Sequence, residues 1–187
     1  MKRTDTKQLI IDTAAQLFYQ KGYNLTGINE IIATAGIAKA TLYSHFKSKE
    51  ALCVAYLAAK DEAFLKDIQV HCSQKQQGNE QLIGVLDFLI PFFNSEEFNG
   101  CWCIRTVAEI PQENEVIRTA IRKSKQTLLQ FIRELVTKNK PTLSERVQYK
   151  LAHQIYLLYE SAVAESHLHG EEWPIHENID MLKGILE

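Results

Sequence analysis

Residues 26–52 read TGINEIIATAGIAKATLYSHFKSKEAL, and they carry the clearest structural pattern in the sequence. Its apolar residues recur at helical spacing around Gly36, so we expect two short helices at residues 28–35 and 39–46. Gly36 suits a left-handed turn position, which a residue with a Cβ enters only at a cost. Two short helices joined by such a turn behind a longer helix form a helix-turn-helix, whose second helix enters the major groove of DNA.

The second short helix has two different faces. Leu42 and Phe46 lie four residues apart, and we expect them to pack on Leu17, Ile28 and Ile32. The side chains that project elsewhere are small or polar, as contact with a DNA groove requires: Lys39, Ala40, Thr41, Ser44 and His45. Composition alone leaves open a plain helical hairpin whose polar face is only solvated.

The same stretch resembles the DNA-binding signature of TetR/AcrR regulators. The matching features are Thr26 at the start of the second helix, the Ala-Gly turn at 35–36, Thr-Leu-Tyr-x-His-Phe at 41–46 and Ser-Lys-Glu-x-Leu at 48–52. The resemblance is strong over residues 9–52, and beyond them only the number and lengths of the helices are similar. It implies a two-domain all-α fold, a homodimer, and repression of transcription that an unidentified small-molecule effector relieves.

The resemblance also implies which residues contact double-stranded operator DNA. Four residues with suitable donor groups are expected to contact phosphates: Thr26, Tyr43, His45 and Lys49. Four other residues are expected to lie near base edges or the adjoining backbone: Lys39, Ala40, Thr41 and Ser44. Two residues depart from the family pattern, since Ala38 replaces a usual Ser and Ala40 replaces a frequent Gly. The first change removes a side-chain cap and the second adds a methyl group at the groove.

Charge is distributed unevenly along the chain. Residues 1–50 carry seven Lys and Arg against four Asp and Glu, a net charge of +3, whereas the whole chain carries −2. The remainder therefore carries −5. A basic end attracts DNA phosphates, and an acidic body is repelled from the duplex.

Helical periodicity continues to the C-terminus, so the sequence predicts an all-α protein. We expect a helix-turn-helix domain at residues 1–50 and a helical effector-binding and dimerisation domain at residues 51–187. The first helix is expected at residues 6–21, with Gly22 as its stop. Thr26 is expected to cap the second helix, and Ser48 to cap a long helix to residue 70 that joins the two domains.

Further helices are expected at residues 79–93, 98–110, 113–138, 142–169 and 175–186. Asn79 is a candidate cap, Pro91 should bend or end its helix, and Thr142 with Glu145 matches a capping box.

The last two helices are expected to form the dimer. One carries an apolar stripe of Val147, Leu151, Ile155, Leu158 and Ala162, and the other carries Ile175, Ile179, Leu182 and Ile185 or Leu186. A monomer of this size would expose both stripes, whereas a symmetric four-helix packing would bury them.

Three weaker patterns concern small ligands. Trp102, Arg105, Tyr156 and Tyr159, together with Glu160, are candidate effector-binding residues, with ordinary interior packing as the competing interpretation. A thiol-responsive regulator is the alternative suggested by Cys101 and Cys103, although two such cysteines on one helix would point about 200° apart. The polar residues around His167 and His169 lack zinc-ligand spacing, so we expect no metal and no cofactor.

Other protein classes fit less well. The chain contains no Gly-rich phosphate loop, Gly-x-Ser-x-Gly or His-Glu-x-x-His motif, which argues against an enzyme. A helical protein-interaction adaptor without DNA binding would leave the 41–46 pattern without a purpose. No apolar run is long enough for a membrane span and no signal-peptide core is present, so we expect a cytoplasmic protein with reduced cysteines.

Overall fold

The computed structural model describes residues 3–96 and 98–187, with the side chains of residues 3–5 left out. Lys2 and the side chains of Arg3 and Asp5, which enter the charge count above, therefore lie outside the described part. Ten α-helices follow one another in the described residues: α1 (Arg3–Lys21), α2 (Ile28–Ala35), α3 (Lys39–His45), α4 (Lys49–Ser73), α5 (Asn79–Asp87), α6 (Leu89–Phe93), α7 (Trp102–Glu109), α8 (Glu115–Asn139), α9 (Glu145–His169) and α10 (Trp173–Leu186). The all-α prediction is confirmed.

The helix-turn-helix forms where the sequence predicts it. Gly22 ends α1 with φ +96°, and its N–H donates to the Phe18 carbonyl oxygen at 3.0 Å. Gly36 ends α2 in the left-handed region at φ +63°. Both positions favour glycine because a Cβ is strained there.

The cap of α2 differs from the prediction, whereas the cap of α4 agrees. Thr26 is fully buried, and its hydroxyl lies 2.8 Å from the Gly22 carbonyl oxygen and 3.2 Å from that of Leu17. Gly27 occupies the N-cap position without a side-chain cap, because Thr26 instead bonds the end of α1. The Ser48 prediction is confirmed, since the Ala51 N–H donates to Ser48 Oγ at 3.1 Å.

Two other cap predictions are wrong. Asn79 is the first residue of α5, which follows Gly78 without a side-chain cap. The predicted capping box at residue 142 lies too early, because α9 starts after Ser144, also without a side-chain cap. Leu143 packs against the core, and its N–H donates to the Lys140 carbonyl oxygen at 3.2 Å, so the chain is still turning there.

Helix breaks in the middle of the chain follow local chemistry. Pro91 has no N–H for the Asp87 carbonyl oxygen and its ring crowds that group, so α5 ends at Asp87 and α6 follows. The predicted helix at residues 98–110 starts later, at Trp102. Gly100 has φ +72°, and the Phe98 ring lies 5.3 Å from that of Phe92. These features hold residues 98–101 out of a helix.

Two compact units make up the chain. The first contains the residues up to Ala63 together with Trp102–Ser124, and the second contains Phe64–Cys101 with Lys125–Glu187. The first unit buries Ile10, Ala14, Phe18, Ile31, Leu42, Leu52 and Tyr56, and the second buries Ile68, Leu82, Leu86, Ile132, Ile155 and Leu182. Both α4 and α8 run through a boundary between the units. These boundaries do not coincide with residue 50, and the functional division predicted there stays a prediction.

Most residues of the stripes expected at the dimer interface lie inside the second unit. Leu151, Ile155 and Ala162 of α9 are buried, as are Ile175, Ile179 and Leu182 of α10, whereas Val147 and Ile185 are exposed. The expectation that a monomer exposes the whole of both stripes is wrong, because α5, α9 and α10 pack on one another and cover most of them. Among the helices of the described residues, none is long and apolar enough to cross a membrane.

Candidate DNA interface

Helix α3 turns an apolar edge inward and a small, polar face outward. Leu42 is fully buried and Phe46, which follows the helix, is nearly so. The exposed side chains are Lys39, Ala40, Tyr43 and Ser44, and those of Thr41 and His45 are half-buried. The predicted orientation of α3 is confirmed. In α2, Ile31 is fully buried, and Ile28 and Ile32, the residues expected to pack on Leu42, are partly buried.

The first turn of α3 begins without a side-chain cap. Ala38 is the N-cap in an extended conformation, and no side chain caps the helix. The first N–H groups of a helix are the part that binds anions, although the Thr41 N–H here already donates to the Ala38 carbonyl oxygen at 2.9 Å. If residue 38 carried a hydroxyl, that side chain could accept a hydrogen bond from one of these N–H groups.

Lys49 lies at the first position of α4, on the far side of the turn from α3. Its Nζ is 4.2 Å from the centroid of the Tyr23 ring, a distance at which a cation is attracted to an aromatic face. Burial lowers the pKa of the Lys49 ammonium, and the Glu109 carboxylate opposes that shift. Burial also raises the pKa of the Tyr23 phenol to about 12. The Tyr23 side chain therefore stays uncharged and orients the Lys49 ammonium through its ring. Sequence reasoning missed this role of Tyr23.

Thr26 does not lie where its predicted role requires. Its side chain has no exposed surface, and the hydroxyl faces the carbonyl groups of Leu17 and Gly22. We therefore correct the expectation that this hydroxyl meets a phosphate. Its observed contacts tie the end of α1 to the segment before α2.

The candidate effector residues fall in both units. In the first unit, Trp102 is almost fully buried, and its Nε1 donates to Asp61 Oδ1 at 2.7 Å. Arg105 lies one turn further along α7 and is partly buried. In the second unit, Tyr159 is buried with its ring 6.3 Å from that of Phe64, and Tyr156 is half-buried.

A polar cluster surrounds Tyr156 in the second unit. Lys125 Nζ donates to the two carboxylate oxygens of Glu160 at 2.6 and 2.8 Å, and to Cys101 Sγ at 3.2 Å. Burial raises the pKa of Tyr156 to about 12, and the negative charge of Glu160 adds to the effect. The sequence analysis missed Lys125, because nothing in the pattern of α8 distinguishes it from the other lysines.

The two neighbouring cysteines occupy different environments. Cys101 precedes α7 and is half-buried, so the expectation of two cysteines on one helix is wrong. Cys103 is buried in the first unit, with its Sγ 3.4 Å from Ser124 Oγ.

A cluster of aromatic rings in the second unit was also missed. Its members are Phe64, Phe88, Phe92, Phe93, Phe98 and Tyr159, with centroids 5.1 to 6.4 Å apart in the contacting pairs. All except Tyr159 are partly exposed. The phenylalanines come from three separate segments of the chain, so no local pattern reveals that they meet.

Comparison with protein families identifies the N-terminal part. Residues 10–56 match the family described as bacterial regulatory proteins, tetR family. The HTH-type transcriptional repressor NemR of Escherichia coli K12 is 28% identical over 131 residues, which is 68% of this chain and 65% of NemR. The fatty acid metabolism regulator protein of Bacillus subtilis is 25% identical over 158 residues, or 83% of this chain and 80% of that protein. The matched part thus spans slightly less than two thirds of NemR.

Solved structures share the fold over almost the whole chain. A TetR-family transcriptional regulator from Streptomyces coelicolor superposes with a TM-score of 0.86 at 24% identity, covering 98% of this chain and 95% of that one. Reduced E. coli NemR superposes with a TM-score of 0.87 at 20% identity, covering 98% and 97%. The signature of the tetR family thus covers residues 10–56, and almost the whole chain has the fold that these solved structures share.

Proposed function

We propose that the protein is a transcriptional repressor that binds a pseudo-palindromic operator as a homodimer and leaves it when a small molecule binds. The observation that carries this proposal is the exposed face of α3, whose residues are small or polar apart from the Tyr43 ring, while Leu42 anchors the helix from behind. Such a face fits a major groove without requiring burial of an apolar surface. A repressor of bacterial promoters would meet its DNA in the cytoplasm.

Selection of bound sequences from a random DNA pool tests this function directly. We expect recovery of a two-fold symmetric site, and an affinity that falls steeply with salt because phosphate contacts release counterions. Failure to enrich any sequence, or a complex insensitive to salt, would contradict the proposal and favour the adaptor alternative.

The homodimer is supported by an exposed apolar surface that the sequence analysis identified only in part. Leu157 and Leu168 of α9 are 64% and 74% exposed, and Met181 of α10 is 58% exposed. Tyr149 and Ile185 continue the same two helix faces. A second copy of the chain is the occupant we propose, since an operator read by two recognition helices requires two-fold symmetry.

The effector is proposed to act through the second unit. Tyr156, Lys125 and Glu160 offer polar anchors there, and the partly exposed phenylalanine cluster offers apolar contacts of the kind that ligand sites use. Trp102 and Arg105 stay candidates within the first unit. Because α4 is one continuous helix, movement at its C-terminal end would displace the residues near Lys49 as well. The spacing of the two recognition helices would then no longer match half-sites about 34–36 Å apart.

Reciprocity provides the test of this mechanism. An effector that weakens operator binding a hundredfold requires about 2.7 kcal/mol of coupling, and the operator must weaken effector binding by the same factor. Calorimetric titration of a candidate effector with and without operator DNA measures both. Equal effector affinities in the two titrations would exclude that compound.

A thiol-responsive regulator is the second candidate, and the structure favours Cys101 as its sensor. Burial raises the pKa values of Cys53 and Cys72 to about 12, which leaves these thiols protonated and unreactive. Cys101 is half-buried instead, with the Lys125 ammonium 3.2 Å from its sulfur. Treatment with N-ethylmaleimide should release wild-type protein from DNA and leave a Cys101→Ser variant bound. Equal release of both proteins would contradict this candidate.

A further inference from the structure

We propose that Glu109, which lies outside the family signature, is a positioning residue for operator binding. It is the last residue of α7, and its contacts hold the turn that leads into the helix-turn-helix. This inference rests on the proposed DNA-binding function and adds a residue to it.

Glu109 holds the α1–α2 turn through two hydrogen bonds. The backbone N–H of Asn24 donates to Glu109 Oε2 at 2.7 Å, and Asn24 Nδ2 donates to the Glu109 backbone oxygen at 2.6 Å. The same residue therefore engages both the main chain and the side chain of Asn24. A charged acceptor makes the first of these bonds stronger than a neutral one.

Gly22 allows the carboxylate to approach this closely. A Cβ at residue 22 would overlap the Glu109 carboxylate in its observed position. The turn is thus shaped around the Glu109 side chain as well as around the positive φ of Gly22.

A second contact holds the other flank of the helix-turn-helix. Asn114 Nδ2 donates to Glu50 Oε1 at 2.7 Å, while Asn114 Oδ1 accepts the N–H of Ile117 at 3.1 Å. Glu50 lies in the first turn of α4. The segment from Glu109 to Asn114 therefore contacts the chain both before α2 and after α3, which are the two places where the helix-turn-helix could pivot.

The charge of Glu109 acts on a predicted phosphate contact as well. Burial lowers the pKa of Lys49, and the Glu109 carboxylate counteracts this shift. Glu109 therefore favours the charged form of Lys49 from within the first unit, without any need to touch DNA.

The hydrogen bonds of Glu109 are exposed to solvent. Their loss should therefore change the orientation of the helix-turn-helix more than the free energy of unfolding. A turn released from Glu109 would let the recognition helix sample other orientations. Because apparent affinity scales with the fraction of protein in the binding-competent arrangement, operator affinity should fall.

A comparison of Glu109→Ala, Glu109→Gln and Glu113→Ala tests the inference on the operator selected for the wild type. We expect Glu109→Ala to lose about tenfold in affinity, equivalent to about 1.4 kcal/mol. Glu109→Gln should lose less affinity than Glu109→Ala, because its amide oxygen can still accept the Asn24 N–H although the charge is removed. Glu113→Ala is the matched control, since this exposed residue lies in the same segment.

Three further measurements separate a positioning role from a direct phosphate contact and from a loss of folding. The salt slope of Glu109→Ala should equal that of the wild type, the free energy of unfolding in urea should be nearly unchanged, and the Asn24 amide should exchange faster with solvent. Unchanged affinity in Glu109→Ala, equal losses in the Ala and Gln variants, or a loss explained by unfolding would each overturn the inference. Absence of any wild-type complex would instead refute the proposed function, and this inference with it.

Discussion

Helices α3 and α9 both present a face to solvent, but the two faces differ in chemistry. The exposed side of α3 carries Lys39, Ala40 and Ser44, which are small or polar. The exposed side of α9 carries Leu157 and Leu168, large apolar groups that water does not favour. One face suits the polar surface of DNA, and the other suits a second copy of the same helix.

The comparison also separates two ways in which a surface arises. In α3 the apolar residues are so few that Leu42 must point inward, and the remaining side chains become the surface. In α9 apolar residues occur on both sides of the helix. The stripe containing Leu151 and Ile155 packs inside the unit, and Leu157 is left outside. Regular spacing alone therefore cannot show which apolar face stays exposed.

The largest effect is expected from a charge on the exposed face of α9. Leu157→Glu should give a monomer that folds normally, because this side chain lies mostly in solvent. Operator affinity should fall about a hundredfold, since a single recognition helix reads only one half-site. Sedimentation and mobility-shift assays measure the two effects.

Val116→Glu is the matched control for this variant, as Val116 is similarly exposed on α8. A dimeric Leu157→Glu protein with wild-type affinity would remove the proposed distinction between the two faces.

Intermediate effects are expected from the phosphate contacts beside α3. Replacing Tyr43, His45 or Lys49 by Ala should weaken binding to all DNA sequences by about tenfold each, because phosphate contacts carry no base information. Lys49→Ala should also lower the salt slope by about one unit. Lys66→Ala, which removes an exposed lysine from the other end of α4, serves as the control. Wild-type affinity in all three variants would refute the assignment.

Substitutions on the outer face of α3 should change operator affinity less, but they should change which DNA sequence is preferred. Ala40→Gly removes the methyl group that departs from the family pattern, and Thr41→Ser removes a methyl that could meet thymine. Each change should alter discrimination at one or two base pairs by about 1–3 kcal/mol. Repeating the DNA selection with both variants measures this. Recovery of the wild-type site with uniformly reduced affinity would indicate that these residues do not face the bases.

The smallest effect is the change in the free energy of unfolding with pH. It should be alike for the cores of the two units, although the two exposed faces differ. Cys53 in the first unit and Cys72 in the second have pKa values raised to about 12 by burial, from an ordinary value near 9. The unfolded chain therefore loses these protons first, and stability should fall as the pH rises above about 9, by about 1 kcal/mol per thiol at pH 10. Urea unfolding between pH 7 and 10.5 measures the slope, which Cys53→Ala and Cys72→Ala should each reduce. A slope unaffected by either replacement would contradict the assignment.

The sequence determined the parts of this protein in which local chemistry allows one solution. Gly22 and Gly36 end their helices because a left-handed position favours glycine, and Ser48 caps α4 because its hydroxyl lies within reach of a free N–H. The spacing of Leu42 and Phe46 fixes which face of α3 is outside. These features use neighbours within a few residues, so the helices and turns of the helix-turn-helix could be predicted, although the position of the Thr26 side chain could not.

Other features depend on contacts between distant parts of the chain and could not be predicted from local patterns. Leu151 and Leu157 have the same side chain, and their different burial is set by α5 and α10 packing against one side of α9. Thr26 turns inward because carbonyl groups at the end of α1 accept its hydroxyl. Glu109 meets Asn24 across 85 residues of sequence, and Lys125 meets Glu160 across 35. Helical periodicity specifies the faces of a helix, but which face is covered depends on the other helices that pack against it.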